Sequence, residues 1–212
     1  MVENTRGLVL RTRLLTETSL IVHWLSADLG RVATVAKGAL RPKSPFRGKL
    51  DLFYLADLSF SRSRRSELHT LREVSVRETH PVLRQDLACL RQAAHGAALV
   101  EQATEVETPL PAVFDMMLGL LKFLGAHGAR PEGLLAFELR LLAELGLAPD
   151  LEQARVNPDA KQLMQTLAQQ EWDELARLCP SAAQLNPVRR FLHGFLIYHL
   201  GKVPKGREAA LA

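Results

Sequence analysis

The hydrophobic pattern of this chain changes period at His80-Pro81, and no other feature narrows its fold as much. Before that dipeptide, short runs alternate in character. Leu8, Leu10, Thr12 and Leu14 oppose Val9, Arg11, Arg13 and Leu15 over residues 6–15, and Leu20, Val22 and Trp24 oppose Ile21, His23 and Leu25 over 19–26. Residues 31–37, 51–62 and 67–77 continue the period, which is that of strands with two unlike faces. Ala27 to Gly30 reads as a turn, and no segment of helical period separates the first three strands. Five short strands in about eighty residues predict a small closed or nearly closed barrel, for which the OB type is the commonest solution.

Beyond Pro81 the apolar residues step by three and four. Leu83, Leu87, Leu90, Ala94 and Ala97 predict one long helix over 82–103, and Val113, Met117, Leu120 and Leu124 predict another after Pro109 and Pro111. Pro131 opens a helix apolar around most of its circumference, expected to be central to a bundle, and Gly146-Leu147 followed by Pro149 is a Schellman stop. Two short helices are expected at 158–169 and 171–178. A last helix is expected with Asn186 as N-cap and Pro187 at its first position, which places Arg189 and Arg190 in the first turn, against the helix dipole. The fold class is therefore α+β: an OB-type barrel over residues 1–80 and an all-α domain over 81–212.

Charge divides along the same line. Residues 1–80 hold 14 Lys/Arg against 8 Asp/Glu, whereas 81–212 hold 13 against 15. Between Gly30 and Phe53, Lys37, Arg41, Lys43, Arg47 and Lys49 follow one another with no acid until Asp51, and Gly38, Pro42, Pro45 and Gly48 stop the segment from spreading them around a helix. Arg62, Arg64 and Arg65 crowd a second loop. Self-repulsion of this kind is relieved by a polyanion. GALRPKS mimics a phosphate-binding loop, but the second Gly is missing and Pro42 stands where a backbone N–H should face phosphate, so side-chain cations gripping a nucleic-acid backbone are the better reading. In the basic segment only Phe46 is placed to stack on a base. No catalytic motif is present, Glu105 and Glu107 read as solvated carboxylates, and Cys89 reads as small core filler. The N-terminal MVENTRGLVL is neither a signal peptide nor a membrane span, so a cytoplasmic protein with reduced thiols is expected.

Four runs of residues resemble the RecO family of bacterial DNA repair proteins: R-x-x-x-E-T-S-L-I-V around Arg13 and Glu17, the A-K-G-A-x-R-x-K-S-x-F-R-G-x-L ending at Leu50, F-E-L-R-L-L-x-x-L-G-x-x-P from Phe137 to Pro149, and Y-H-L-G-K from Tyr198 to Lys202. The resemblance implies a non-catalytic, nucleoid-associated recombination mediator that binds single- and double-stranded DNA, anneals complementary strands and helps load recombinase. It also implies RecR and the C-terminal tail of single-strand binding protein as partners. On that reading Lys37, Arg41, Lys43, Arg47, Lys49, Arg62, Arg64 and Arg65 contact DNA, and Phe137, Arg140 and Leu141 receive the tail, an apolar groove beside a cation suiting an acidic, apolar-ended peptide. Many members of the family carry a four-cysteine zinc site after L-G-x-x-P. Here LEQARVNPDAKQLMQ supplies no Cys or His, so neither metal nor cofactor is expected. A general OB module acting on RNA is the alternative that the charges alone allow.

Overall fold

The computed structural model describes residues 1–212 and divides into two compact units, Met1–His80 with Thr104–Phe114, and Pro81–Ala103 with Asp115–Ala212. In the first unit, strands β1 (Val2–Thr16), β2 (Ser19–Ser26), β3 (Gly30–Ala36), β4 (Leu55–Ser61) and β5 (Leu68–Glu78) close a barrel in the order β1-β2-β3-β5-β4. All neighbours are antiparallel except β3 and β5, whose parallel register pairs Thr34 with His69. Closure depends on the length of β1, which pairs with β4 through Val2–Leu8 and with β2 through Gly7–Thr16. This is the OB-type barrel expected. Its core holds Val9, Val22, Trp24, Val32, Leu58, Phe60, Leu71 and Val74, and the indole N–H of Trp24 is satisfied inside it by Thr34 Oγ1 at 2.9 Å.

A bulge between Val9 and Arg11 sets which way β1 presents its charges. Val9 points inward opposite Trp24, and uninterrupted alternation would send Arg11 and Arg13 inward too. The extra residue reverses the faces: Thr12 pairs with inward Val22, while Arg11 pairs with His23 on the outside. Gly30, at φ +68°, opens β3, and the segment 104–108 lies so close that an added Cβ would stand 2.0 Å from the Thr108 carbonyl oxygen. Only glycine fits there.

The second unit is helical: α1 (Val82–Gln85), α2 (Leu87–Ala103), α3 (Pro111–His127, which begins in the first unit), α4 (Pro131–Glu144), α5 (Pro158–Gln169), α6 (Trp172–Leu175), α7 (Ala182–Leu200) and α8 (Arg207–Ala210). Helix α4 is central as expected, buried from Glu132 to Leu142 except at Arg140, and contacts α2, α5, α6 and α7. Its end is a Schellman motif, with the Leu147 N–H on the Leu142 carbonyl at 2.8 Å and the Gly146 N–H on that of Ala143 at 3.0 Å.

Three helix boundaries differ from expectation. The segment 82–103 is two helices, because the Asp86 carboxylate accepts the N–H groups of Ala88 (2.7 Å) and Cys89 (3.0 Å) and starts α2 afresh. The buried face then runs through Cys89, Ala93, Ala97 and Val100, and Leu87 is exposed. Helix α6 stops at Leu175. Helix α7 begins five residues before Pro187, because Ser181 and Gln184 form a capping box, with Gln184 Oε1 accepting the Ser181 N–H at 2.9 Å. Pro187 thus lies inside α7, and Arg189 and Arg190 lie beyond its first turn.

One buried ion pair locks α4 to α8. Arg207 forks onto Glu138, both bonds 2.7 Å, and His95 Nε2 reaches the same carboxylate at 2.9 Å, all three side chains being enclosed. Burial pushes the Glu138 pKa up, but Arg207 and His95 outweigh it and hold the group below its ordinary range. Glu138→Ala leaves the guanidinium buried without an acid and should cost about 3–5 kcal/mol in denaturant unfolding, whereas Glu138→Leu with Arg207→Met should recover most of that loss.

Candidate nucleic-acid interface

The connection from β3 to β4, residues 37–54, is a string of tight turns. The N–H groups of Arg41, Ser44, Arg47 and Lys49 each donate to the carbonyl three residues earlier at 3.0–3.2 Å. It is tied to the β1–β2 hairpin by the Leu40 N–H on the Thr18 carbonyl (3.0 Å) and the Gly38 N–H on Ser19 Oγ (3.2 Å), and to β1 by the Phe53 N–H on the Val9 carbonyl (2.8 Å). Ala39, Phe46 and Leu50 then drop into the barrel core, and Phe46 alone contributes about 2–3 kcal/mol of apolar burial.

These pegs orient the charges. Lys37, Arg41, Lys43 and Arg47 are exposed and Lys49 is half-buried; none of the five is in an ion pair. The Arg41 stem lies over Gly38, and Arg47 Nη1 donates to the Pro42 carbonyl at 3.1 Å, so two guanidinium groups are partly fixed in place. The expectation that Phe46 stacks on a base is overturned. Its ring is 7% exposed, because the segment needs it as an anchor.

The second basic loop is divided in its roles. Arg64 and Arg65 are exposed at its tip. Arg62 is not available to phosphate: Nε and Nη2 grip Glu3 at 2.6 and 3.0 Å and Nη1 grips Glu107 at 2.5 Å, which raises the guanidinium pKa and lowers that of Glu3. Glu107, expected to be solvated, also accepts from Nε2 of buried His69 at 2.6 Å, and that imidazole stacks flat on Phe60. Its backbone N–H donates to the Arg31 carbonyl at 2.9 Å. Two acids and a guanidinium thus brace the base of the loop that carries Arg64 and Arg65.

Sequence reasoning missed the outer face of β1. Arg11 and Arg13 point outward beside His23, whose pKa burial, followed by the fields of Arg11, Arg13 and Arg31, pushes down to about 4. The alternation in β1 was a usable signal, but the bulge that fixes its sense was not visible.

The three residues expected to receive a partner peptide do not form a groove. Phe137 is 0% exposed and Leu141 is 1% exposed, both in the bundle core. Arg140 donates to the carbonyls of Leu167 (3.2 Å) and Gln170 at the end of α5 and lies 4.6 Å over the Trp172 ring; burial lowers its pKa. A cation capping a helix C-terminus is a structural role. Of the pair expected at the start of the last helix, Arg189 donates to the Leu211 carbonyl at 2.6 Å, while Arg190 is exposed.

Residues 1–80 match the family model described as Recombination protein O N terminal, and residues 84–156 match Recombination protein O C terminal. Curated relatives bearing the name DNA repair protein RecO include those of Rhodopirellula baltica (33% identical over 150 residues, 71% of this chain and 56% of the relative) and Symbiobacterium thermophilum (35% over 151 residues, 70% and 58%). That of Exiguobacterium sibiricum is 33% identical over 153 residues, 71% and 60%. The matched region therefore spans less than two thirds of these relatives' own length.

Phe46→Ala should destabilise the protein by about 3 kcal/mol and release the connection, read as lost amide protection across residues 38–50, whereas Lys43→Ala should do neither. A polyanion laid across Arg11 and Arg13 should raise the His23 pKa from about 4, so that an oligonucleotide moves its imidazole NMR titration upward. In the free protein the depressed value implies stability complete above the ordinary histidine pKa of 6.5 and declining as pH falls towards 4, a slope that His23→Gln should reduce.

Proposed function

The chain belongs to the RecO family of DNA repair proteins, and from that premise we propose that it is a recombination mediator that binds single- and double-stranded DNA and anneals complementary strands without covalent chemistry. One observation carries the reading. Apolar pegs hold a line of cations outward on the barrel while Arg62, the guanidinium of the two basic loops that has acids within reach, is withdrawn from it. Lys37, Arg41, Lys43, Arg47, Lys49, Arg64 and Arg65 are the proposed phosphate contacts, with Arg13 extending them along β1.

With Phe46 enclosed, the barrel's cationic loops hold a strand through its phosphates rather than by stacking, which makes binding tolerant of sequence and leaves base edges free to pair. Neutralising phosphates on two strands lowers their repulsion, the main barrier to their meeting. Loading of recombinase, and RecR and the tail of single-strand binding protein as partners, belong to the same proposal. Since Phe137 and Leu141 are core residues, the tail requires a different surface of the helical unit. No helix is long and apolar enough to cross a membrane.

If five cations reach phosphate, the logarithm of single-strand affinity should fall with the logarithm of salt at a slope of about −3.5. Lys37→Glu with Arg41→Glu and Lys43→Glu should reduce that slope by about 2 and abolish annealing of complementary oligonucleotides, with or without single-strand binding protein. A slope near zero in the wild type would contradict the proposal.

A further inference from the structure

The helical half is acidic on balance, yet from Leu175 to Arg207 it holds no Asp or Glu, while Arg177, Arg189, Arg190, Lys202, Lys205 and Arg207 are all cationic. Arg207 and Arg189 are used internally, but Arg177, Arg190, Lys202 and Lys205 are exposed. This tract contains α7 and lies wholly beyond the residues matched by the two family models.

Helix α7 also carries a ladder of rings, half-buried at Phe191 and Phe195 and exposed at Tyr198 and His199. Phe191 and Phe195 stack at 5.5 Å and 26°, Phe195 meets His199 at 4.3 Å, and Tyr198 stands edge-on to His199 at 4.9 Å. Spacings of four put Phe191, Phe195 and His199 in one row, with Arg190, Gly194 and Tyr198 in the row beside it. The core side of α7 is made by Val188, Leu192 and Leu196 instead. Tyr198 is 83% exposed, and Gly194 leaves open surface between Arg190 and Tyr198, since a methyl there would meet nothing within 4 Å. The backbone at the ladder's end is fixed by Gln102 Nε2, which donates to the carbonyls of Leu200 (3.1 Å) and Lys202 (2.6 Å), so Lys202 springs from a held position. The nearest acid in sequence, Glu208, approaches His193 to 3.9 Å and shares a cleft with Arg190, while Tyr198, Lys202 and Lys205 lie outside that cleft.

We propose that this face of α7 is a second single-stranded nucleic-acid site, in which Arg190, Lys202 and Lys205 neutralise phosphates and Tyr198, with the Phe195–His199 rings, stacks on bases. Rings flanked by cations, in a tract without an acid from Leu175 to Arg207, are the combination that single strands select. A symmetric contact with a second copy would set like charges against each other, and an acidic peptide would use the cations but not need a row of flat rings. The proposal rests on the reading of the barrel as a DNA-binding unit and adds a site that this reading does not contain.

The test titrates the full chain with an oligothymidylate of about 12 nucleotides, in wild type, an α7 variant (Arg190→Glu, Lys202→Glu, Lys205→Glu), Tyr198→Ala and the barrel variant Lys37→Glu/Arg41→Glu/Lys43→Glu. All altered side chains are exposed, and equal melting temperatures verify folding. Wild type should bind two oligonucleotides and each charge variant one. Tyr198→Ala should weaken the second event about tenfold with an unchanged salt slope, because stacking releases no counterions. Annealing should fall at least tenfold in both charge variants. A wild type that binds one oligonucleotide, or an α7 variant that retains wild-type stoichiometry and annealing, overturns the second site alone. An α7 variant that keeps both but loses an acidic, apolar-ended peptide overturns it in favour of a protein-docking face. A barrel variant that still binds two strands overturns the barrel reading instead.

Discussion

The arrangement of charge on this protein depends on three apolar side chains, Ala39, Phe46 and Leu50, which leave the basic connection and enter the barrel core. Five cations within thirteen residues repel one another, and a free loop would relieve that repulsion by spreading and by moving. Burying the pegs removes that freedom. The backbone between them closes into successive turns, and the long side chains point away from the interior because burying an unpaired ammonium or guanidinium costs more than the repulsion. The aromatic ring that looked like a ligand contact is thus what holds the exposed cations in place.

Two sets of guanidinium groups in this chain differ in what lies within reach. Arg62, Arg140 and Arg207 meet carboxylates or helix-end carbonyls and are partly or wholly enclosed, and each ties distant segments together: Glu3 and Glu107 to the β4–β5 loop, α5 to α4, α8 to α4. Arg41, Arg64, Arg65 and Arg190 form no ion pair and face water. Sequence composition cannot separate the two, because the partners are remote. Arg62 and Glu107 are 45 residues apart, and Arg207 and Glu138 are 69 apart.

That limit explains which parts of the structure were legible in the sequence. The five strands, the central α4, its Schellman end and the span of α5 follow from local period and local capping, and these were readable to within a few residues. The β1 bulge, the restart of α2 at Asp86 and the capping box that overrides Asn186-Pro187 are also local, but each competes with a stronger-looking signal, and the outcome depends on packing. At the candidate site, the identity of the exposed cations in the first loop was legible from the absence of nearby acids. The loss of Arg62, Phe46, Phe137 and Leu141 as contacts was not, since each is decided by a tertiary neighbour.

Annealing places opposed demands on a protein, because cations must draw two polyanions together and yet release base edges to each other. The binding through phosphates proposed for the barrel would meet the second demand, since with Phe46 buried that ring does not compete with a complementary base for a stacking partner. A strand so held is also free to slide, since point charges read no register. A ring-bearing second face, as proposed for α7, would act differently by retaining a strand through its bases until a better partner, a complementary strand, displaces the rings. Pairing between complementary strands supplies about 1.4 kcal/mol per step from DNA stacking, which over a few steps exceeds the 1–3 kcal/mol of a base on an aromatic side chain. The exchange therefore runs towards duplex without an energy source, as the proposed annealing by phosphate contacts requires.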